Sequence, residues 1–122
     1  MWSYSQTSGN IFAPNGLLAG TGYSGRGPGL NNTEMQAVEG VGPIPQGLYA
    51  IGAFFDDPQK GPIVAHLIPD PANEMYGRSG FMIHGSRIGE TTRSSSDGCI
   101  VQAHAIRAQI AASGDRALLV TA

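Results

Sequence analysis

The apolar residues of this chain fall in short runs that alternate with polar residues and are separated by glycine and proline. Such runs are typical of β-strands joined by tight turns. We predict six strands, over residues 2–6, 17–23, 47–54, 63–68, 80–84 and 117–121. The segment "GPIPQGLYAIG" (42–52) begins with prolines, which cannot donate to a sheet, and then alternates, so we predict a turn that leads into a strand.

One segment, "QAHAIRAQIAASG" (102–114), instead has the periodicity of a helix. Ile106 and Ile110 lie four residues apart on one helical face, and Ser113 and Gly114 provide an end signal. The pattern therefore predicts a mainly β fold with one short helix.

Length and composition indicate one folded, turn-rich domain over residues 1–122. The chain has 18 Gly, 8 Pro and only 13% charged residues. Its formal net charge is −2, and it has no run of Lys or Arg, so we expect no binding to nucleic acid. No apolar run is long enough for a membrane span, and the first residues lack the basic and apolar regions of a cleavable signal peptide.

The chemistry of the chain centres on Cys99, its only cysteine, in "SSSDGCIV" (94–101). This thiol cannot form an internal disulfide, so it is either a small buried residue or a nucleophile. His84 ends the predicted strand in "SGFMIHGSR", where Phe81 and Ile83 point to one side and His84 to the other. Histidine and cysteine are thus predicted at the two ends of one loop.

This pair suits nucleophilic catalysis, because only the thiolate form of cysteine is the nucleophile. An imidazole can take the proton of the thiol, or it can hold the thiolate as an ion pair. Gly98 would allow close approach of a substrate, and the nearby amides could face an oxyanion. Cysteine peptidases or amidases of other classes remain alternatives. Papain-like enzymes place the cysteine before the histidine, and chymotrypsin-like ones usually have glycine where Ile100 follows the nucleophile.

A zinc site is a further alternative, because His66, His84, Cys99 and His104 would suffice as ligands. No pair among them has the short spacing typical of zinc sites. His66 fits a strand and His104 the start of the helix, so we predict no metal.

The motifs of the chain resemble those of a known family. "HGS…SSSDGCIV", which contains His84-Gly85 and then Ser96-x-Gly98-Cys99, resembles the signature of L,D-transpeptidase catalytic domains. "GPIPQGLYAIG" is similar to a Pro-x-Gly-x-Tyr segment upstream in that family. "YSGRGPGLNN", without a signal peptide, is similar to a small branch of type VI secretion effectors that attack the peptidoglycan of competitors. The resemblance extends over residues 23–102.

The resemblance implies a β-sandwich or barrel with one short helix after the catalytic cysteine, and no cofactor. Cys99 would attack the third residue of a tetrapeptide stem and expel the terminal D-alanine, leaving a thioester. His84 would be the base, oriented by the carbonyl of Gly85. The amides of Gly98 and Cys99 would form the oxyanion hole, and the Ser96 hydroxyl would support the loop. Water, a D-amino acid or the amine of another stem would accept the acyl group.

Two positions depart from the family pattern. Asp97 stands where histidine is common, and a carboxylate there would oppose thiolate formation unless it points away. Val101 stands where arginine or asparagine is common, and Gln102 or Arg107 could replace that side chain.

Arginines near the motif, Arg78, Arg87 and Arg93, could steer the carboxylates of a stem peptide, and we assign substrate binding to Arg87 and Arg93. The expected partners are a peptidoglycan stem peptide, an immunity protein and the secretion machinery. We expect synthesis in the bacterial cytoplasm and action in the periplasm of a target cell. A catalytically silent wall-binding or interaction module of the same fold is the alternative from another functional class.

Overall fold

Short apolar runs separated by glycine turns form the strands of the protein. The structure is a computed structural model that describes residues 1–90 and 92–122. The strands are β1 (Trp2–Ser5), β2 (Asn10–Phe12), β3 (Leu18–Thr21), β4 (Tyr23–Ser24), β5 (Gly47–Ile51), β6 (Phe55–Asp57), β7 (Gly61–Pro69), β8 (Met82–His84), β9 (Ile100–Val101) and β10 (Ala117–Thr121). The helix is α1 (His104–Ser113), and two 3-10 turns lie at Gly27–Gly29 and Thr33–Met35.

The strands form one strongly curved sheet in the order β3-β2-β1-β10-β5-β7-β8-β9-β4, with β6 paired to β7 outside this path. The pairs β1–β10 and β8–β9 are parallel, and the other pairs are antiparallel. The two outermost strands, β3 and β4, are separated in sequence only by Gly22, so the sheet curls into a nearly closed barrel. Gly22 allows this closure, because a Cβ there would lie 1.8 Å from the carbonyl oxygen of Val101.

The alternation along the strands decides which side chains enter the core. Trp2 and Tyr4 of β1 are buried, as are Leu118 and Val120 of β10, while the intervening residues face outward. Burying such side chains is the main favourable contribution to folding. The core also contains Ile11, Ile44, Tyr49, Ile51, Ala65, Leu67, Phe81, Ile83, Ile100 and Ile110.

Helix α1 covers one side of the barrel, where it contacts β7. Ile110 is buried in the core and Ile106 packs against it, as their spacing predicts. Ser113 accepts a hydrogen bond from the indole Nε1 of Trp2 at 3.1 Å, and Gly114 ends the helix with φ of 70°. The left-handed conformation at Gly114 confirms the predicted end signal.

The structure confirms the predicted fold class, but the bounds and the number of the strands differ from the prediction. The segment predicted at 17–23 divides into β3 and β4, the strand predicted over 47–54 ends at Ile51, and the strand predicted over 80–84 begins at Met82. The strands β2, β6 and β9 were not predicted, because two or three residues are too few to show an alternating pattern. No helix among the described residues is long and apolar enough to cross a membrane.

The alternation is testable with two leucines on neighbouring strands. Leu118 of β10 is 1% exposed, whereas Leu48 of β5 is 44% exposed. We expect Leu118→Ala to lower the free energy of unfolding by about 2–5 kcal/mol, because it leaves a cavity, and Leu48→Ala to lower it by less than about 1 kcal/mol. Urea unfolding of both variants measures this. Equal losses would contradict the register.

Candidate functional site

The parallel pair β8–β9 brings the histidine and cysteine segments side by side. Ile83 is level with Ile100, and His84 is level with Val101. Cys99 directly precedes β9, and its Sγ accepts a hydrogen bond from the backbone N–H of Met82 at 3.3 Å. The two residues therefore lie on neighbouring chain segments, displaced by two positions along the strand direction.

His84 is oriented by the main chain. Its Nδ1 lies 2.7 Å from the carbonyl oxygen of Gly85. A carbonyl only accepts hydrogen bonds, so Nδ1 carries the proton of the neutral ring and Nε2 carries the lone pair. The residue is 2% exposed, and Nε2 has no hydrogen-bond partner among the described residues. The expected contact with Gly85 is present, and it leaves Nε2 as the basic atom.

The electrostatics favour a neutral resting site. Burial lowers the pKa of His84 below its ordinary value, although the hydrogen bond to Gly85 opposes the shift. Burial raises the pKa of the half-buried Cys99 thiol, which the N–H of Met82 opposes and the charge of Asp97 reinforces. Cys99 and His84 can exist as a thiol and a neutral imidazole or as an ion pair of thiolate and imidazolium. The two pKa shifts favour the thiol and the neutral imidazole.

The Ser96 hydroxyl organises the loop that carries the cysteine. It donates to the carbonyl oxygen of Cys99 at 2.6 Å, and it accepts the N–H groups of Gly98 and Gly25, each at 3.0 Å. Ser96 is 1% exposed, so water does not compete for these bonds. The predicted supporting contacts of Ser96 are thus present. The N–H of Gly98, expected in the oxyanion hole, is engaged by Ser96 in this structure.

Strand β4 and the residue after it anchor the same loop from the other side. The hydroxyl of Tyr23 accepts the N–H of Ser95 at 3.0 Å. The hydroxyl of Ser24 donates to the carbonyl of Gly98 at 2.9 Å. This role of the "YSG" segment (23–25) was not predicted, although the resemblance had singled out its sequence.

Asp97 makes its closest ionic contact away from the thiol. Its Oδ1 lies 3.2 Å from Nε of Arg26, and the two side chains are 72% and 50% exposed. Such an exposed pair contributes little to stability. The Asp97 carboxylate is thus mostly exposed and paired with Arg26, but it lines the same cleft as Cys99 and its charge still raises the pKa of the thiol.

Arg78 was predicted only as one of several basic residues near the motif, but it is 5% exposed and lies against the cysteine loop. Its guanidinium packs over the ring of Phe81 at 5.2 Å, and a Cβ on Gly98 would lie 2.5 Å from Nη2. The guanidinium donates only to main-chain carbonyls, those of Gln36 at 2.6 Å, Pro43 at 2.8 Å, Gly42 at 3.0 Å and Asp97 at 3.2 Å. Residue 98 must therefore be glycine for this packing.

Cys99 and His84 line different clefts. The cysteine cleft, about 230 Å³ in volume, is lined by Glu39, Gly40, Arg78, Ser79, Gly80, Phe81, Asp97 and Cys99. A second cleft of about 450 Å³ contains His84 together with Lys60, Arg87 and Arg107, and we call it the basic cleft.

The predicted substrate-binding arginines are not together. Arg87 lines the basic cleft, whereas Arg93 lines a third cleft of about 530 Å³. Gln102 is buried and donates to the carbonyl of Gly9 at 3.0 Å. Arg107, by contrast, reaches the histidine side of the site, since a Cβ on Gly85 would lie 2.8 Å from its Nη2.

The zinc alternative finds no support in the geometry. No group of three His, Cys, Asp or Glu side chains suited to a metal occurs within residues 1–90 and 92–122. His66 is exposed on β7 and stacks on Phe55 with 5.4 Å between ring centroids, and His104 begins α1. Both histidines lie where the sequence predicts them.

Comparison with known proteins agrees with the effector branch that the motifs indicated. A family model described as the Tlde1 domain matches residues 19–119, a range that includes β4 to β9, α1 and both His84 and Cys99. No curated protein and no solved structure matches the chain significantly. Since the match covers most of the sequence, the chain belongs to the Tlde1 domain family of type VI secretion effectors.

Proposed function

We propose that the protein is a cysteine-dependent peptidoglycan enzyme that acts on tetrapeptide stems through a thioester on Cys99. The observation that carries this proposal is the state of His84. Its Nδ1 is bonded to the carbonyl of Gly85, its Nε2 is buried and unpartnered among the described residues, and its strand pairs with the strand that directly follows Cys99. A fixed tautomer with a desolvated basic nitrogen suits a general base for a neighbouring thiol.

In the proposed reaction, Sγ of Cys99 attacks the carbonyl of the third stem residue while its proton passes to Nε2 of His84. The C–N bond to the terminal D-alanine then breaks, and His84 gives the proton to the departing amine. Water or an amine next attacks the thioester and loses a proton to Nε2, which returns it to the released Sγ.

The negative charge that develops on the carbonyl oxygen needs hydrogen-bond donors. Because Ser96 already engages the N–H of Gly98, the N–H of Cys99 is the better candidate of the two expected donors. Gly98 contributes in the proposal by its lack of a side chain, which lets Arg78 and Phe81 pack against the loop.

Incubation with disaccharide tetrapeptides, with and without D-methionine, followed by mass spectrometry tests the reaction. We expect loss of D-alanine, exchange for D-methionine, or 3-3 dimers, each of which identifies one acyl acceptor. Cys99→Ala should reduce turnover by roughly 10⁴-fold or more, because it removes the nucleophile. An unchanged tetrapeptide with folded wild-type protein under all conditions would contradict the proposal.

The site of action has its own test. We expect growth arrest when the protein carries an added signal peptide that directs it to the periplasm of a Gram-negative host, and none when it stays in the cytoplasm. The readout is the viable count, with Cys99→Ala as the matched control. If Cys99→Ala stays toxic and still sediments with cell-wall sacculi, a catalytically silent wall-binding module is the better description.

The burial of His84 predicts a pH dependence of folding. Its pKa is lowered in the folded state, so between that value and about 6.5 the unfolded chain binds more protons than the folded chain. Stability is therefore fully present above about pH 6.5 and is lost as the pH falls through the folded pKa.

Urea unfolding of the wild type and of His84→Gln between about pH 7 and pH 5 measures this dependence. We expect the variant to lose less stability over this range than the wild type. His104→Gln, which removes an exposed imidazole at the start of α1, is the matched control and should follow the wild type. Parallel curves for the wild type and His84→Gln would show that His84 is not buried in its neutral form.

A further inference from the structure

The basic cleft next to His84 has a one-sided charge. Lys60, Arg87 and Arg107 line it, and no Asp or Glu is among its described lining residues. The cysteine cleft instead mixes Arg78 with Glu39 and Asp97. Arg87 has Glu90 as an ionic partner at 4.0 Å, whereas Lys60 and Arg107 pair with no described carboxylate. These two cations favour an anion on the histidine side of the reacting pair.

Arg107 makes the basic cleft more than a surface feature. The side chain is 5% exposed, yet it forms no ion pair with any described carboxylate. Its Nη1 donates to the carbonyls of Pro62 at 3.2 Å and Ile63 at 3.4 Å, while its Nε has no partner among the described residues. A buried guanidinium with an unused donor is costly unless an anion accepts from it.

The backbone that meets Arg107 is itself unusual. Ile63 has φ of 53°, a left-handed conformation that is a genuine outlier for a β-branched residue. Such strain is found most often at functional sites, where surrounding contacts maintain it. Here it occurs at one of the two residues whose carbonyls fix the guanidinium.

Lys60, the only lysine of the chain, is held over the same cleft by a turn. Oδ1 of Asp57 accepts the N–H groups of Gln59 and Lys60, each at 2.8 Å, which fixes the backbone between β6 and β7. The positive charge of Lys60 lowers the pKa of both His84 and Cys99, although burial is the largest influence on each. Lys60 also lines the same cleft as His84.

The position of His84 indicates which part of a substrate enters this cleft. In the proposed reaction, Nε2 of His84 gives its proton to the departing amine, so that amine must reach a residue that lines the basic cleft. The departing residue is a terminal amino acid, whose carboxylate is attached to the same Cα as the amine. When the amine reaches His84, the carboxylate is only two bonds away, and Lys60 and Arg107 line the cleft that can receive it.

We propose that Lys60 and Arg107 bind the free α-carboxylate of the terminal D-amino acid that is expelled or exchanged. This inference rests on the proposed function and makes the enzyme specific for the end of a stem. In the forward direction, the C–N bond breaks and the amine takes the proton from Nε2 while the carboxylate stays on the cations. In exchange, a D-amino acid binds by its carboxylate, its amine loses a proton to Nε2, and the new amide bond releases Sγ.

The test compares a tetrapeptide that ends in a free carboxylate with the same peptide ending in a carboxamide. For the wild type we expect kcat/KM to be at least about tenfold higher for the carboxylate peptide, because a carboxylate can form a charge-assisted hydrogen bond with a cation.

Lys60→Met should reduce the ratio of the two kcat/KM values by about tenfold, and Lys60→Arg should restore most of that ratio. Arg116→Met removes an exposed cation on another face of the barrel and should leave the ratio as in the wild type. An equal kcat/KM for both peptides would overturn the carboxylate site while the proposed function stands.

A binding measurement tests the carboxylate site independently of the proposed reaction. In Cys99→Ala protein, titration with D-methionine should shift the imidazole NMR signals of His84, whereas D-methionine amide should not. The D-methionine shift should be lost when Lys60→Met is added. If wild-type protein is inactive on both peptides but these shifts occur, the proposed function fails and the carboxylate site stands. Shifts of equal size with both ligands would overturn the site.

Discussion

The geometry of the candidate site depends on the hydrogen bonds of one buried hydroxyl, that of Ser96. It joins the Cys99 carbonyl and the Gly98 amide within the loop to the Gly25 amide after β4. Residues 95–98 have no regular ladder of their own, so these bonds replace one. Since β4 is also an outermost strand of the sheet, closing the barrel and positioning the cysteine depend on the same contacts.

Two buried arginines supply the charge that a neutral resting site lacks. Arg78 lies on the cysteine side and Arg107 on the histidine side, and both donate mainly to main-chain carbonyls. Carbonyl dipoles satisfy the donors but do not cancel the charge. Glu39 and Asp97 share the cysteine cleft with Arg78, whereas Arg107 forms no ion pair with a described carboxylate. In the proposed reaction, negative charge moves from Sγ to the substrate oxygen, and a nearby cation would stabilise it more strongly in the low dielectric of the interior than in water.

The features that could be predicted from the sequence are those that a local pattern of residues determines. Strand β10 and the end of α1 were predicted because Leu118, Val120 and Gly114 act through alternation and backbone conformation. His84 and Cys99 were found through motif spacing. The two-residue strand β9 exists only because β8 and β4 pair with it, and the direction of Asp97 depends on Arg26, far away in the chain. Lys60 reaches the site through the turn before β7, which no local pattern reveals.

The separation of Cys99 and His84 into two clefts bears on the fate of the acyl group. The cysteine cleft has mixed charges, whereas the charged residues that line the basic cleft are cations. A D-amino acid brings a carboxylate to the basic cleft, and the amine of a second stem does the same when the carbon that bears it also carries a carboxylate, whereas water carries no charge. On the proposed reaction, the charge of the basic cleft therefore favours an acceptor with a carboxylate beside its amine over an amine that lacks one, and Lys60 and Arg107 are the residues that would set this preference.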